Sequence, residues 1–186
     1  PRVRPHQADS GVSLVELIVA VVVAGLFVSM LAVMFANGWV AQKEATERDD
    51  ATGHANLAAS TLHGSVRNAA TFRVAESGTR LDAVVASQGA TMTWECRAWK
   101  LSGGKLYYSA GSTARPFDIV AGASPIVVGV TGTLGSGAAF QQGAGSPEAQ
   151  RRLTIGMTLR TGDQSVPLDG AVVAQTVVQG GAPACW

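Results

Sequence analysis

An uninterrupted apolar run near the amino end most constrains what this chain can fold into. Residues 17–36 contain no charged side chain and a single hydroxyl group, that of Ser29. A helix of this length is about 30 Å long at ~1.5 Å per residue, which matches the hydrocarbon thickness of a bilayer. The run therefore predicts a membrane-spanning helix, and it explains a mean hydropathy of +0.21 in a chain with 15 % charged residues.

Two other interpretations of this run compete with a membrane anchor. A core helix buried on all sides would have the same composition, but an apolar run of this length is unusual there. A secretory signal peptide would use Arg2 and Arg4 as its basic region. Its apolar region is normally only about 7 to 15 residues long, and Met34, Phe35 and Ala36 place a large residue where cleavage needs a small one. We therefore expect the apolar segment to be retained.

The flanks of the apolar run bear on its orientation. Trp39 lies where an interfacial aromatic side chain is expected, and charged residues become frequent from Lys43 onward. Arg2 and Arg4 on one flank are matched by Lys43 and Arg48 on the other. The positive-inside rule thus permits a cytoplasmic amino end without forcing it. We expect a single pass through the cytoplasmic membrane with the larger, carboxyl-terminal part outside.

A short motif precedes the apolar run. Gly11 is followed by Val12, and Glu16 stands four residues after Val12, immediately before the apolar segment. A carboxylate at the edge of a membrane helix needs a partner. The combination of a basic leader, a glycine, a glutamate at this spacing and an uninterrupted apolar helix resembles the cleavage and methylation motif of type IV prepilins. The resemblance covers residues 1–45 and indicates the type IV pilins or the related pseudopilins of type II secretion.

This resemblance implies a sequence of processing and assembly. A membrane aspartyl peptidase, the prepilin peptidase, would cleave after Gly11, and Val12 would then be N-methylated. Glu16 would meet the amino terminus of a neighbouring subunit during assembly. The implied partners are other pilin or pseudopilin subunits, the prepilin peptidase, an inner-membrane assembly platform, and the membrane before assembly. The mature subunit would pass from the membrane into a cell-surface or periplasmic filament.

The helical pattern continues beyond the membrane segment. Apolar residues recur there at intervals of three and four, which predicts an amphipathic stripe. They are Ala51, Ala55, Ala58, Leu62, Val66 and Ala69. Gly53 and Gly64 lower the stability of this helix but need not end it. We therefore expect the helix to extend to residue 70.

From residue 71 onward the pattern has a period of two, which predicts β-strands. One hairpin is expected over residues 91–109 around a turn at 102–104, and a second over residues 152–178 around a turn at 161–163. The glycine-rich stretch at 129–145 between them predicts a mobile loop. The strands should therefore pair mainly within these two hairpins.

These patterns predict an α+β fold in which a long N-terminal helix, its first half in the membrane, packs on an antiparallel β-sheet. The pilin resemblance implies the same architecture. Four segments follow along the chain: a leader peptide at 1–11, a transmembrane or filament-core helix at 12–42, an amphipathic continuation of that helix at 43–70, and an extracytoplasmic β-rich head at 71–186.

Catalytic, cofactor and metal sites are not expected. Ser102 and Lys105 have the Ser-x-x-Lys spacing of some acyl-transfer enzymes, but there the serine opens a helix, whereas this serine lies in a hairpin turn. The glycines around residue 135 lack the lysine and the following helix of a phosphate-binding loop. His54 and His63 are nine residues apart and do not share a helix face, so we predict surface histidines. The chain is therefore not expected to be an enzyme.

Charge gives little support to a nucleic-acid binder. The formal net charge is only +1. Arg151 and Arg152 are typical of a strand end, and they would contact DNA only in a competence pilus. The head carboxylates are predicted to be solvated charges on turns or polar strand faces. Those considered are Asp82, Glu95, Asp118, Asp163 and Asp169.

Two cysteines, Cys96 and Cys185, are present. They are too few for a disulfide-built miniprotein or a four-ligand zinc module. Their even number and the exported, oxidising location of the head predict a disulfide between them. Two buried free thiols are the alternative.

The expected function is that of a non-enzymatic structural subunit of a type IV pilus or pseudopilus. A minor subunit is favoured because the head is sizeable and has no internal repeat. A permanently anchored single-pass protein with a ligand-binding extracytoplasmic β domain is the alternative, and an exported hydrolase comes third. The amino-terminal residue of the mature chain discriminates between the pilus subunit and the anchored protein, because only the pilin hypothesis predicts methylated Val12 there.

Overall fold

The computed structural model describes residues 13–87, 93–112, 119–176 and 185–186. The chain divides into two compact units, Pro1–Lys43 and Glu44–Trp186. One helix, α1 at Leu14–Arg67, contributes to both units. The described part of the second unit adds nine strands and one short α-helix. From here on the head means this whole unit, which includes the end of α1 as well as the β-rich segment at 71–186.

In its described residues, the first unit is the apolar part of α1. Every described residue up to Lys43 is exposed. The most apolar part of α1 has a mean hydropathy of 2.9 with none of its residues buried, and α1 is the one helix in the described ranges that is long and apolar enough to cross a membrane. Such a surface suits hydrocarbon rather than water. This agrees with a single-pass membrane protein.

The head contains the rest of α1, which is amphipathic as predicted. Its buried face consists of Ala51, Ala55, Ala58, Leu62, Ser65 and Val66. The helix ends at Arg67 rather than at residue 70, because the chain joins a sheet there: the Asn68 carbonyl accepts a hydrogen bond from the Ala86 amide at 3.4 Å, and the first strand begins at Ala69.

Five antiparallel strands form the first sheet in the order β1-β2-β3-β4-β5. They are β1 Ala69–Ala75, β2 Arg80–Ser87, β3 Thr93–Ser102, β4 Lys105–Gly111 and β5 Pro125–Val128. The β3–β4 pair is the first predicted hairpin, and Ser102 and Lys105 close its turn. That prediction is confirmed over the part of the hairpin that the structure describes.

The second sheet is built on the long strand β8. Strands β6 and β7 pair with successive parts of one side of β8, and β9 pairs with its other side. Their bounds are β6 Val130–Gly132, β7 Phe140–Gln142, β8 Arg152–Thr161 and β9 Gln164–Val173, with the short helix α2 at Pro147–Gln150 before β8. The β8–β9 pair is the second predicted hairpin, although β9 ends earlier than expected.

The prediction that 129–145 is a loop throughout is wrong. Two short strands in this stretch, β6 and β7, are paired with β8. Gly129 makes the passage from the first sheet to the second possible, because its φ is +72° and a Cβ there would collide with the Arg160 carbonyl oxygen. The Gly129 carbonyl in turn accepts a hydrogen bond from the Arg160 amide at 2.8 Å. Glycine content here serves close backbone packing rather than disorder.

One core joins α1 to both sheets. Its largest fully buried side chains include Trp99 and Leu81 from the first sheet, Phe140 and Met157 from the second, and Leu62 from α1. The α+β prediction is confirmed, with two antiparallel sheets rather than one packed on the helix.

Candidate functional site

The predicted processing site is only partly described. Gly11 and Val12 lie outside the described residues. Glu16 lies in the first turn of α1 and is exposed. It is the only charged residue between Ser13 and Gln42. A carboxylate in the first turn also interacts favourably with the helix dipole, so its position is compatible with helix formation as well as with assembly.

The apolar side chains around α1 point in all directions. Leu14, Phe35 and Trp39 are between 74 and 79 % exposed, and large side chains on every intervening turn are also exposed. A helix that is apolar all round is suited to lipid or to contact with other apolar helices.

An ionic network is buried in the first sheet. Asp82 is 1 % exposed and accepts hydrogen bonds from Nη2 of Arg80 at 2.8 Å and Nε of Arg73 at 3.1 Å. Arg80 is itself 3 % exposed, and Glu76 bridges it to Lys100, with a 3.0 Å contact to the Lys100 Nζ. The prediction that Asp82 is a solvated charge is wrong.

The sequence contains a signal for this network that composition alone misses. Arg80 and Asp82 are two apart on one strand and so share a face. Arg73 is paired with Asp82 across the β1–β2 ladder. Opposite charges at paired positions indicate an ion pair, but they do not indicate burial, which depends on what covers this face.

The carboxyl end of the chain covers part of that face. Cys185 is joined to Cys96 by a disulfide with a Cα–Cα distance of 5.4 Å, across 89 residues of sequence. The cysteines are packed with Val84, and Trp94 lies against this cluster. The Arg73 guanidinium carbon lies 5.1 Å from the ring centroid of Trp186. The structure thus pairs the two cysteines as predicted and fixes the end of the chain over the sheet.

A groove of the head lies beside α1. It has a volume of about 580 Å³ and is lined by Ser60, Thr61, Gly64, Ser65, Asn68, Val85, Ala86 and Arg97. Arg97 donates a hydrogen bond through Nη1 to Ser65 Oγ at 2.8 Å and forms an ion pair through Nη2 with Glu95 at 2.6 Å. The guanidinium is therefore already neutralised, and the groove is polar without a free charge from Arg97.

The residues considered for catalysis or metal binding are not assembled into a site. Ser102 and Lys105 flank a hairpin turn, as predicted. His63 is exposed, whereas His54 is half-buried and its Nδ1 is buried without a hydrogen-bond partner, so the surface prediction holds only for His63. Within the described ranges, no three His, Cys, Asp or Glu side chains are grouped to hold a metal ion.

Arg151 has a structural role at the end of the second sheet. Its Nε donates a hydrogen bond to the Ala174 carbonyl at 2.9 Å, and Nη2 donates to the Thr176 carbonyl at 3.3 Å. These bonds hold the chain where it leaves β9. Asp163 and Asp169 are exposed, as predicted, and Asp118 lies outside the described residues.

Two groups of the head have shifted pKa values. Burial raises the pKa of Tyr108, and the charge of Glu95 raises it further while Arg97 opposes the shift. Tyr108 packs against Trp99 with 5.1 Å between ring centroids. The pKa of Glu148 is lowered by a hydrogen bond from its own backbone amide and by the Ser146 hydroxyl. Both shifts are explained by the fold.

Comparisons with known proteins supply no relative. No protein-family model matches the chain, and neither the curated proteins nor the solved structures contain a match. The functional conclusion therefore depends on the motif, the helix and the head themselves.

Proposed function

We propose that this chain is a structural subunit, and specifically a minor one, of a type IV pilus or of a type II secretion pseudopilus. The observation that carries the proposal is the single helix Leu14–Arg67. Its first part is exposed and apolar all round, and its last part supplies the core face of a β-rich head. A subunit that assembles through its membrane helix and displays a folded head needs both parts.

Glu16 adds a reason to favour assembly over simple anchoring. An acidic side chain at the centre of a membrane helix costs about 2.5 to 3.5 kcal/mol on insertion scales, and less near the interface. Leader removal would create a positive amine on Val12, and N-methylation would leave that charge in place. Opposite charges at a separation of about 4 Å attract by about 4 kcal/mol at an effective dielectric of 20. A pair between Glu16 and the amine of a neighbouring subunit would offset the cost and set the axial register.

As such a subunit, the chain would have successive locations and partners. Before assembly it would be a single-pass protein of the cytoplasmic membrane with its head outside, and prepilin peptidase would process it at Gly11. An assembly platform would then transfer it to a cell-surface or periplasmic filament of pilin or pseudopilin subunits. DNA would be a partner only in a competence pilus.

N-terminal sequencing and intact mass of the chain purified from its own membranes test the proposal. We expect a chain that begins at methylated Val12. The Gly11→Val variant should keep its leader, because a side chain would hinder close approach of the scissile backbone to the peptidase. If Gly11→Val has the mature size both with the peptidase and in its absence, the proposal is wrong.

A second test addresses assembly. Glu16→Ala should insert into the membrane, lose its leader and fold normally, yet enter filaments poorly. Glu44→Ala, which removes a carboxylate from the same helix beyond the apolar part, is the matched control and should enter filaments normally. A subunit at the filament tip could escape the requirement, because no subunit lies above it. Co-purification of Glu16→Ala with sheared filaments at the wild-type level would exclude the register role in this subunit.

The second candidate is a permanently anchored protein whose head binds a ligand. The groove of about 580 Å³ between α1 and the first sheet is the observation that favours it. This function predicts an unprocessed amino end and no incorporation into filaments. The same N-terminal sequencing therefore separates the two candidates.

A further inference from the structure

Strand β9 is an edge of the second sheet. It pairs with β8 along its whole length, and no other described strand pairs with it. Its residues alternate between those that bond to β8 and those whose backbone groups face away from it. Among the described residues, no strand pairs with the backbone groups along its other side.

The hydrogen bonds of β8 identify which residues of β9 face outward. The amides of Arg160 and Gly156 are used on the opposite side of β8, by the carbonyls of Gly129 and Ala139. Their partners on β9 are Ser165 and Asp169, so the outward set is every second residue: Ser165, Pro167, Asp169, Ala171 and Val173. Proline, which has no amide proton, lies at an outward position, as this assignment requires.

A groove runs beside the last part of this edge. It has a volume of about 480 Å³ and lies between α1 and the end of β9, with His63, Gly64 and Arg67 on one wall and residues 171–173 on the other. Gly64 has no heavy atom within 4 Å of the place a Cβ would occupy. The outward residues Ala171 and Val173 thus border a groove whose opposite wall is not filled at Gly64.

The groove is closed at one end. The Gln175 amide donates a hydrogen bond to the Arg67 carbonyl at 2.9 Å, and the Arg67 Nε donates to the Gln175 side-chain oxygen at 3.1 Å. Beyond this point the Thr176 carbonyl is held by Arg151. A strand lying along β9 would therefore have to stop at Arg67, which suits a chain end better than a continuing chain.

The charges that line the groove indicate which end of a partner chain, amino or carboxyl, it would bind. Its described lining residues include Arg67 and His63, and none of them is an Asp or Glu. The acidic residue on the same strand, Asp169, accepts a hydrogen bond from the Thr133 hydroxyl at 3.4 Å. A guanidinium binds a carboxylate through charge-assisted hydrogen bonds. The closed end thus suits a terminal carboxylate.

We infer that the groove binds the extended carboxyl-terminal segment of a partner protein. The segment adds to β9 as a parallel strand, with its backbone paired to Ala171 and Val173 and its terminal carboxylate at Arg67. Strand addition supplies main-chain hydrogen bonds, and the carboxylate supplies orientation. This inference concerns the head alone and does not depend on filament assembly.

The test uses the full chain in detergent micelles and a fluorescein-labelled peptide, Thr-Val-Thr-Val-Thr-Val, with either a free or an amidated carboxyl end. Fluorescence anisotropy should show saturable binding of the free acid and at least about tenfold weaker binding of the amide. Ala171→Pro removes an outward amide at the groove and should abolish binding. Ser165→Pro makes the same change on the same edge outside the groove and should leave binding unchanged.

A second matched pair of variants tests the role of the Arg67 charge. Arg67→Gln should reduce acid binding to the level of the amide, whereas Arg152→Gln, at an exposed position on β8, should not. The inference would be refuted if the free-acid and amidated peptides bound equally well. It would also be refuted if Ala171→Pro and Ser165→Pro weakened peptide binding equally. Amide exchange provides a further check: protection of Ala171 and Val173 in the free chain would mean that this edge is already occupied. Self-association that Ala171→Pro abolishes would make a second copy the occupant and would also refute it.

Discussion

Replacing Asp82 by asparagine tests whether the buried ionic network supports the head. The change keeps the shape of the side chain and removes its charge. Asp82 lies between the buried Arg80 and the partly exposed Arg73, whose side chain is 42 % exposed. In Asp82→Asn the Glu76 carboxylate, 3.9 Å from Arg80, remains as a counter-charge among the described residues. The variant therefore leaves a buried guanidinium with a weaker counter-charge.

The expected loss can be estimated from this geometry. Breaking a buried ion pair by removing one partner costs about 3 to 5 kcal/mol. Because Glu76 remains near Arg80, we expect the lower end, about 3 kcal/mol. For a domain the size of the head this corresponds to a fall in melting temperature of roughly 10 °C. Loss of the contact with Arg73 alone, as in Arg73→Gln, should cost no more than about 1 kcal/mol because that side chain is exposed.

Near-ultraviolet circular dichroism of the full chain in detergent measures this change. The signal of the packed tryptophans reports the head, since a helix in a micelle can stay folded when the head unfolds. Asp163→Asn makes the same substitution at an exposed turn and should shift the free energy of unfolding by less than about 0.5 kcal/mol. Replacing the buried pair together, as Arg80→Met with Asp82→Leu, should recover most of the loss. An Asp82→Asn melt within about 1 kcal/mol of wild type would refute the reasoning.

Three further predictions concern the head. Cys185→Ser should lower its free energy of unfolding by about 4 to 5 kcal/mol in the chain-entropy model for a separation of 89 residues; thermal melts measure this, and alkylation of both cysteines in the unfolded chain before reduction would exclude the disulfide. Gly129→Ala should cost at least about 2 kcal/mol because it combines a positive φ with a backbone collision, whereas Gly135→Ala, in open space, should be nearly neutral. Burial raises the pKa of Tyr108, so the folded state favours the neutral phenol; this stability is fully present below pH of about 10 and is lost as pH rises toward the folded pKa. The melting temperature of Tyr108→Phe should accordingly fall less steeply above that pH than that of wild type.

The hairpins could be predicted from sequence because their information is local. Strands β3 and β4, like β8 and β9, alternate with a period of two around short turns, and the pattern that sets their pairing lies within one stretch of chain. The second part of α1 was predictable for the same reason, from spacings of three and four. Even there the end of the helix was set by a non-local contact, the hydrogen bond between Asn68 and Ala86.

The predictions that were wrong concern features that depend on contacts between distant parts of the chain. Strands β6 and β7 are three residues each, too short for periodicity to be visible, and they exist because β8 provides a pairing edge. Asp82 is buried, although charged and apolar residues alternate at the start of β2 as they do in a strand with one solvated face. Its burial depends on what covers the sheet, and the described part of that cover includes Cys185 and Trp186, more than a hundred residues later in the chain.

The side chains of α1 differ between its two parts, and neither part requires the glutamate at position 16. On the head's buried face the first three positions are alanines, Ala51, Ala55 and Ala58, which let the helix backbone approach the sheets closely. In the apolar part, large side chains are exposed on all sides. A tether needs only that apolar length. It does not need an acidic group in the first turn, where a carboxylate adds a cost in hydrocarbon. Glu16, rather than any feature of the head, is therefore the residue whose substitution tests assembly directly, while the amino-terminal residue of the mature chain separates an assembling subunit from an anchored one.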